Sequence, residues 1–144
     1  MTIRVGVAGA TGYAGVELIR LLTLHPEVEV VLAGTESYQG QRLAEVYPHL
    51  AGRADLVGQE ATPEALAACD VVFTSLPHGL TMGLAQAVLA AGRRLIDLGA
   101  DFRLRDVAVY EQWYRKAHTA PDLMAEAVYG LPELYRGQIR GARL

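Results

Sequence analysis

The sequence contains one cysteine, Cys69, one lysine, Lys116, and no asparagine. A single cysteine excludes a disulfide within the chain and a cysteine-rich metal site, so we expect no metal. The basic residues are dispersed, and a formal net charge of −3 gives little electrostatic support for nucleic-acid binding. Nucleic acid is therefore not an expected partner.

Long hydrophobic runs are also missing. No stretch approaches the roughly 20 apolar residues that span a membrane, and the N-terminal segment MTIRVGVAG lacks the charged-then-apolar layout of a signal peptide. We therefore expect a cytoplasmic protein without a membrane partner. The chain has 144 residues, 51% of them hydrophobic, which suits one domain with a substantial core.

Strands and helices are predicted to alternate along the chain. Residues 3–8 and 28–33 are typical of buried strands, and between them lies an amphipathic helix. The apolar face of this helix comprises Val16, Ile19 and Leu22, widened by Leu18 and Leu21. Further strands are predicted over residues 55–58, 71–75, 94–98 and 127–129. Further helices are predicted over residues 41–47, 62–68, 80–91, 106–117 and 132–139, and residues 117–125 form the most irregular stretch.

This alternation predicts the fold class. Strongly apolar strands separated by helices indicate an α/β protein with a Rossmann-type, doubly wound, mostly parallel sheet and helices on both faces. Ligands of such sheets bind beyond the carboxyl ends of the strands. The residues that follow each strand are therefore the candidates for function.

A glycine-rich turn, GVAGATGYAG over residues 6–15, follows the first strand. Gly9, Gly12 and Gly15 have a variant of the dinucleotide-binding spacing, which lets a backbone turn tightly and approach a pyrophosphate. Amides at the helix start, where Tyr13 and Ala14 lie, would hold the negative charge, and Thr11 would add a hydroxyl. The alternative is a structural turn without a ligand, but the strand–turn–helix–strand context favours phosphate binding.

The segment after the second strand leaves the choice of dinucleotide open. An acidic residue here favours the ribose diol of NAD, whereas hydroxyls and an arginine favour the 2′-phosphate of NADP. Glu36 represents the first type, and Thr35, Ser37 and Arg42 represent the second.

Two polar segments follow later strands, SLPHG at residues 75–79 and DLGADFRL at residues 97–104. His78 is interpreted either as a helix cap or as a catalyst. Arg103 either forms a surface ion pair with Asp101 or grips a phosphate or carboxylate. Cys69 precedes a strand at the edge opposite the glycine turn and is interpreted as a packing residue.

Together with YGLPELY at residues 129–135, these segments resemble the N-acetyl-gamma-glutamyl-phosphate reductase family of arginine biosynthesis. The resemblance extends over essentially the whole chain. It implies an acyl-phosphate substrate, reduced to an aldehyde through a cysteine thioester with hydride from NADPH. It also implies a homo-oligomeric full protein. NADP is the expected cofactor, and NAD is the less favoured one.

The resemblance also assigns roles to residues. Gly9 to Gly15 would hold the pyrophosphate, and Ser37 would approach the 2′-phosphate. Ser75, Leu76, Pro77 and His78 would line the cofactor cleft, and Arg103 would hold the substrate phosphate.

The chain departs from the family in one large respect. The cysteine of the family follows the YGLPEL segment, and its histidine base and dimer-forming domain lie further on. Residues 1–144 are therefore expected to be an isolated dinucleotide-binding domain that contains no catalytic residue and is inactive alone. Two alternatives are the same domain of the aminoadipyl-phosphate reductase of lysine biosynthesis, and a non-catalytic dinucleotide-sensing module.

Overall fold

Residues 2–144, which the computed structural model describes, alternate between strands and helices. The strands are β1 (Ile3–Ala8), β2 (Val28–Gly34), β3 (Gly58–Gln59), β4 (Val71–Thr74) and β5 (Arg94–Asp97). The helices are α1 (Tyr13–Leu22), α2 (Leu43–Val46), α3 (Pro63–Ala67), α4 (Thr81–Ala90), α5 (Val107–Tyr114), α6 (Pro121–Met124) and α7 (Pro132–Ile139), with a 3-10 turn at Pro48–Leu50. No helix within residues 2–144 has the length and apolarity that a membrane crossing requires.

The five strands form one sheet in the order β3-β2-β1-β4-β5, and every neighbouring pair is parallel. The chain therefore winds outward from β1 in both directions, and the predicted doubly wound fold is confirmed. Ala8 pairs with Gly34 on one side and with Thr74 on the other, and Thr74 pairs with Asp97. The carboxyl ends of four strands are thus aligned, and the segments that follow them meet at one edge.

Both faces of the sheet are covered by helices. Val5 and Val7 point into a cluster with Ile19 of α1. Ala8 and Val72 belong to a second cluster, which α3, α4 and α5 complete with residues such as Leu66, Met82 and Tyr110. The alternation within β1 follows from the two-residue period of a strand.

Several predicted elements differ in extent. The predicted strand over 55–58 is displaced and shortened to Gly58–Gln59, and α5 ends three residues early because Arg115 adopts a left-handed conformation with φ of 55°. The irregular stretch 117–125 contains α6. Leu21, expected on the apolar face of α1, is half exposed because the buried stripe runs through Gly15 and Ile19 instead.

The predicted strand over 127–129 is wrong, since this segment of the described chain is irregular. The Val128 amide donates to the Leu144 carbonyl (2.9 Å). The C-terminal residues lie along β5, because the Leu95 amide donates to the Arg143 carbonyl (2.8 Å). A single bond to the last residue is too little pairing to form a strand.

Candidate functional site

The glycine turn between β1 and α1 is the centre of the site. Gly9 has a φ of 83°, and a Cβ there would lie 2.1 Å from the Ser75 carbonyl oxygen. A Cβ on Gly15 would lie 2.0 Å from the Gly9 carbonyl oxygen. Both positions therefore require glycine for the chain to fold this way. Gly9 accounts for the tight turn, and Gly15 for the close approach of α1 to it.

Gly12 differs, because the nearest atom to a Cβ there is the Gly9 carbonyl oxygen at an ordinary 3.5 Å. Its φ of −73° is available to any residue. Folding therefore does not demand glycine at this position, and the glycine leaves the space above the start of α1 open. The first helical bond runs from the Val16 amide to the Gly12 carbonyl (2.9 Å), so the amides of Tyr13 and Ala14 precede it and are available to an anion.

The turn opens onto a cavity of about 480 Å³ at the carboxyl edge of the sheet. The cavity brings together eight residues that the sequence predicted: Gly9, Thr11, Gly12, Thr35, Ser37, Ser75, Leu76 and Pro77. The Thr11 and Thr35 hydroxyls are hydrogen bonded to each other at 2.7 Å. The Tyr47 hydroxyl donates to the Thr11 carbonyl and fixes the turn from the side of α2.

The remaining predicted site residues do not line this cavity. Tyr13 is fully exposed, Ala14 is exposed and Gly15 is buried beneath the turn. The Arg42 guanidinium forms an exposed ion pair with Asp55 at 2.7 Å. His78 lies beside the cavity, with its ring 5.3 Å from that of Tyr114. Their roles toward a ligand stay predictions.

Glu36, which the sequence offered as a ribose ligand typical of NAD, also lines the cavity. Six further lining residues were missed by sequence reasoning: Gly34, Gln39, Glu60, Ala61, Leu80 and Leu84. Glu60 and Ala61 follow β3, so they lie at the same edge as the glycine turn. A correct placement of β3 beside β2 would have identified them, but the two-residue strand gave no periodicity to read.

Asp101 is the main correction at the site. The sequence left open a surface ion pair between Asp101 and Arg103, but Asp101 is fully buried and bonds to neither arginine nor lysine among residues 2–144. Its carboxylate accepts hydrogen bonds from the Gly79 amide (2.7 Å), the Thr81 amide (3.1 Å) and the Tyr110 hydroxyl (2.8 Å). His78 is not the cap of α4, since that position belongs to Leu80.

Arg103 lies in a separate groove beside β5, with a volume of about 710 Å³. Its guanidinium donates to the Gly99 carbonyl (3.1 Å) and is otherwise exposed, so its charge is accessible to an anion. The groove is also lined by Ile96, Leu98 and Leu131, which are all exposed apolar side chains.

Cys69 lies at the opposite edge of the sheet, before β4. The thiol is buried and lies 3.6 Å from the Ala65 carbonyl, and burial raises the pKa of this thiol. A raised pKa disfavours the thiolate that a nucleophile requires. Cys69 is therefore a packing residue. No group of three or more histidine, cysteine or carboxylate side chains within residues 2–144 has the arrangement of a metal site.

A dinucleotide fits this site on two observations. The space over Gly12 is one that a Cβ would occupy, and it lies at the N-terminus of a ten-residue helix, whose first amides have no partner within the helix. The hydroxyls of Thr35 and Ser37 lie at the β2 side of the cavity, where an adenosine ribose belongs in this topology. Apolar Leu76, Pro77 and Leu80 line the β4 side.

Two curated proteins similar to this chain carry the same name. The N-acetyl-gamma-glutamyl-phosphate reductase of Symbiobacterium thermophilum is 83% identical over 144 residues, which are 100% of this chain and 41% of the relative. The protein of the same name from Desulforamulus reducens is 55% identical over 139 residues, covering 96% of this chain and 40% of the relative. The chain thus spans about two fifths of the length of these relatives.

Solved structures agree on the fold. Aspartate semialdehyde dehydrogenase with NADP from Candida albicans is 29% identical with a TM-score of 0.59, over 72% of this chain and 31% of that one. Aspartate semialdehyde dehydrogenase II complexed with ASA from Vibrio cholerae is 18% identical with a TM-score of 0.53, over 72% and 32%. The latter likeness concerns the fold alone.

The family model described as the semialdehyde dehydrogenase NAD-binding domain matches residues 4–142. This range includes β1 except its first residue, the glycine turn and every segment that lines the cavity. The chain therefore belongs to the family of semialdehyde dehydrogenase NAD-binding domains.

Proposed function

We propose that this chain is the NADP(H)-binding part of an N-acetyl-gamma-glutamyl-phosphate reductase. The observation that carries the proposal is the 83% identity to a reductase of that name over all 144 residues. The full enzyme would reduce N-acetyl-glutamyl 5-phosphate to N-acetyl-glutamate 5-semialdehyde and release phosphate. NADPH, when bound, supplies the hydride for such a reduction.

The residues of this chain would perform the binding half of that work. The amides of Tyr13 and Ala14 would hold the pyrophosphate over Gly12. Thr11 and Thr35, already bonded to each other, would fix the turn against the β2 side. The exposed Arg103 guanidinium would hold the phosphate of the acyl-phosphate substrate in the groove beside β5.

NADP is proposed over NAD because Ser37 and Thr35 offer hydroxyls at the ribose end of the cavity. Glu36 and Glu60 line the same cavity and would repel a 2′-phosphate. Titration of the chain with NADPH and NADH measures the preference directly. Replacement Glu36→Gln should raise the NADPH-to-NADH affinity ratio about fivefold, which corresponds to about 1 kcal/mol of removed repulsion. An equal or tighter affinity for NADH in the unsubstituted chain would contradict the NADP proposal.

Catalysis is proposed to require the part of the protein that the chain does not span. Cys69 is buried at the wrong edge, so the nucleophile and its base are assigned to a second domain. That domain is also proposed to form the homo-oligomer contacts and to cover the groove beside β5. The exposed Ile96, Leu98 and Leu131 support this cover, since an apolar groove next to a substrate anion site gains from exclusion of water. A cytoplasmic location belongs to the same proposal.

A chimeric enzyme tests the proposed reaction. The matching segment of the Symbiobacterium thermophilum relative would be replaced by this chain, and turnover measured with N-acetyl-glutamyl phosphate and with aminoadipyl phosphate. We expect reduction of the first with NADPH, and no turnover by the isolated chain. Preference for aminoadipyl phosphate would favour the lysine-pathway alternative. A folded chimera that binds NADPH without turnover would favour the sensing-module alternative.

A further inference from the structure

The loop of residues 75–80 connects β4 to α4 and forms one wall of the dinucleotide cavity. Ser75, Leu76, Pro77 and Leu80 face the cavity, whereas Gly79 turns the backbone with a φ of 92°. Glycine adopts this conformation readily, but it adopts others as readily, so the residue alone does not fix the backbone of the loop. One backbone bond closes the loop on itself, from the Leu80 amide to the Pro77 carbonyl (3.3 Å), whereas the Gly79 and Thr81 amides find their acceptor outside the loop.

We infer that Asp101 is a positioning residue, which holds the 75–80 loop against the cavity through two backbone amides. The inference rests on the proposed dinucleotide binding. One carboxylate oxygen accepts from the Gly79 amide and the other from the Thr81 amide, so the carboxylate spans the last turn of the loop and the first residue of α4. Leu80, at the cap position of α4, has no side chain able to do this, so Asp101 caps the helix from 20 residues away.

Asp101 is itself held rigidly. The Tyr110 hydroxyl donates to its carboxylate, and His118 Nε2 lies 2.7 Å from its backbone carbonyl oxygen. A carbonyl only accepts, so Nε2 carries the proton, and His118 Nδ1 in turn accepts from the Ala120 amide (3.3 Å). The His118 ring packs edge-on against Tyr110, with centroids 4.9 Å apart. The carboxylate thus has a fixed position and three donors, in a site closed to water.

Replacement Asp101→Asn keeps the shape but not the bonding. An amide offers one acceptor oxygen, and its NH₂ group would face a donor on the other side. At least one of the Gly79 and Thr81 amides would lose its partner, and the loop would populate other conformations. The apparent dissociation constant for NADPH then equals the intrinsic constant divided by the fraction of molecules whose loop remains in the binding conformation.

Matched variants isolate this effect. Asp106→Asn makes the same chemical change at another carboxylate that accepts two backbone amides, those of Ala108 and Val109, at the start of α5. Thr62→Ala removes the hydroxyl that caps α3 by accepting from the Ala65 amide. This variant should lower the stability of the protein without changing a bond of the 75–80 loop. Neither residue lines the cavity.

The experiment measures NADPH affinity by calorimetry and amide exchange at Gly79 and Thr81 by NMR. We expect about tenfold weaker binding in Asp101→Asn, with faster exchange at one or both of these amides in the absence of ligand, and less than about twofold weaker binding in both controls. If Asp101→Asn weakens binding no more than the controls, or if its loop amides exchange as in the wild type, the inference is overturned.

Two outcomes distinguish a failure of this inference from a failure of the proposed function. If the wild-type chain binds no NADPH, the proposed function fails, whereas the exchange measurement still tests the role of Asp101. If Asp101→Asn does not fold, the wild-type exchange rates decide. Gly79 and Thr81 amides that exchange as fast as the exposed loop amide of Gly52 would overturn the inference, and protection of both would support it.

Discussion

The three glycines of the turn after β1 have different surroundings, which distinguish the glycines that the fold requires from the one that leaves space for a ligand. At Gly9 and Gly15 a Cβ would collide with backbone atoms at 2.1 and 2.0 Å. Backbone cannot move aside as a flexible side chain can, so these two positions serve the fold. A Cβ on Gly12 would make only an ordinary van der Waals contact, so the fold does not require glycine there. The missing side chain instead keeps the space above the start of α1 open.

Replacement Gly12→Val should therefore leave a folded protein that no longer binds NADPH. The valine side chain fills the space over the helix start, and the pyrophosphate can no longer reach the amides. We expect at least a hundredfold weaker binding by calorimetry, with the free energy of unfolding changed by about 1 kcal/mol or less.

Gly15→Ala is the contrasting variant, since its Cβ clashes with the Gly9 carbonyl and should destabilise the fold by several kcal/mol. Retention of NADPH binding by Gly12→Val would mean that the anion site is elsewhere.

Sequence reasoning at this scale found residue types but not partners. Ser37 and Thr35 lie at the cavity as predicted, because the end of a strand fixes where the next residues lie. Arg42 was grouped with them, but its guanidinium pairs with Asp55, thirteen residues further along. Nothing in a local pattern distinguishes an arginine aimed at a ligand from one aimed at a neighbouring loop.

At the scale of the element, the first turn of α4 contains a glycine that has no evident structural role. The helix begins at Thr81, whose amide donates to the distant Asp101 carboxylate, and Gly83 lies two residues further on. Gly83 is exposed, has no positive φ, and a Cβ there would meet nothing within 4 Å. Glycine at this position therefore only lowers the stability of the folded protein, because it loses more conformational entropy on folding than another residue would.

Replacement Gly83→Ala should stabilise the protein by about 0.5–1 kcal/mol, because alanine has the higher helix propensity. Urea denaturation monitored by circular dichroism measures the change, and NADPH affinity should not move. A destabilised variant would indicate that α4 needs flexibility at its start.

The success of element prediction followed the strength of the pattern. α1 and its flanking strands matched closely, because buried strands and a periodic helix each repeat a pattern over six or more residues. The helix predicted over residues 62–68 also matches α3, which begins one residue later because the hydroxyl of the cap residue Thr62 accepts from the Ala65 amide. Three apolar residues at 127–129 gave no such repeat, and the strand predicted there is not formed.

At the scale of the whole molecule, Tyr110 couples stability to pH. Burial, and then the Asp101 carboxylate that accepts its hydrogen bond, raise the pKa of Tyr110 well above its ordinary value near 10. The folded state therefore keeps a proton that the unfolded chain loses above that pH. This contribution to stability is complete below about pH 10 and declines as the pH rises further.

The free energy of unfolding should fall between about pH 10 and about pH 11, and fall less steeply in Tyr110→Phe than in the wild type. Guanidinium denaturation at several pH values measures both slopes. The pKa of Tyr47 is also raised by burial, so some slope should remain in the variant. Equal slopes in the two proteins would contradict the protonated hydrogen bond to Asp101.

The sequence by itself determined the alternation of strand and helix, the glycine turn, and the family to which these segments belong. Each depends on residues close together in the chain, where periodicity and backbone sterics act. The tertiary structure decided that Asp101 is a buried anchor rather than the partner of Arg103, and that Glu60 faces the cavity. Both depend on register between strands, which aligns Ala8, Gly34, Thr74 and Asp97 and so brings together side chains far apart in sequence.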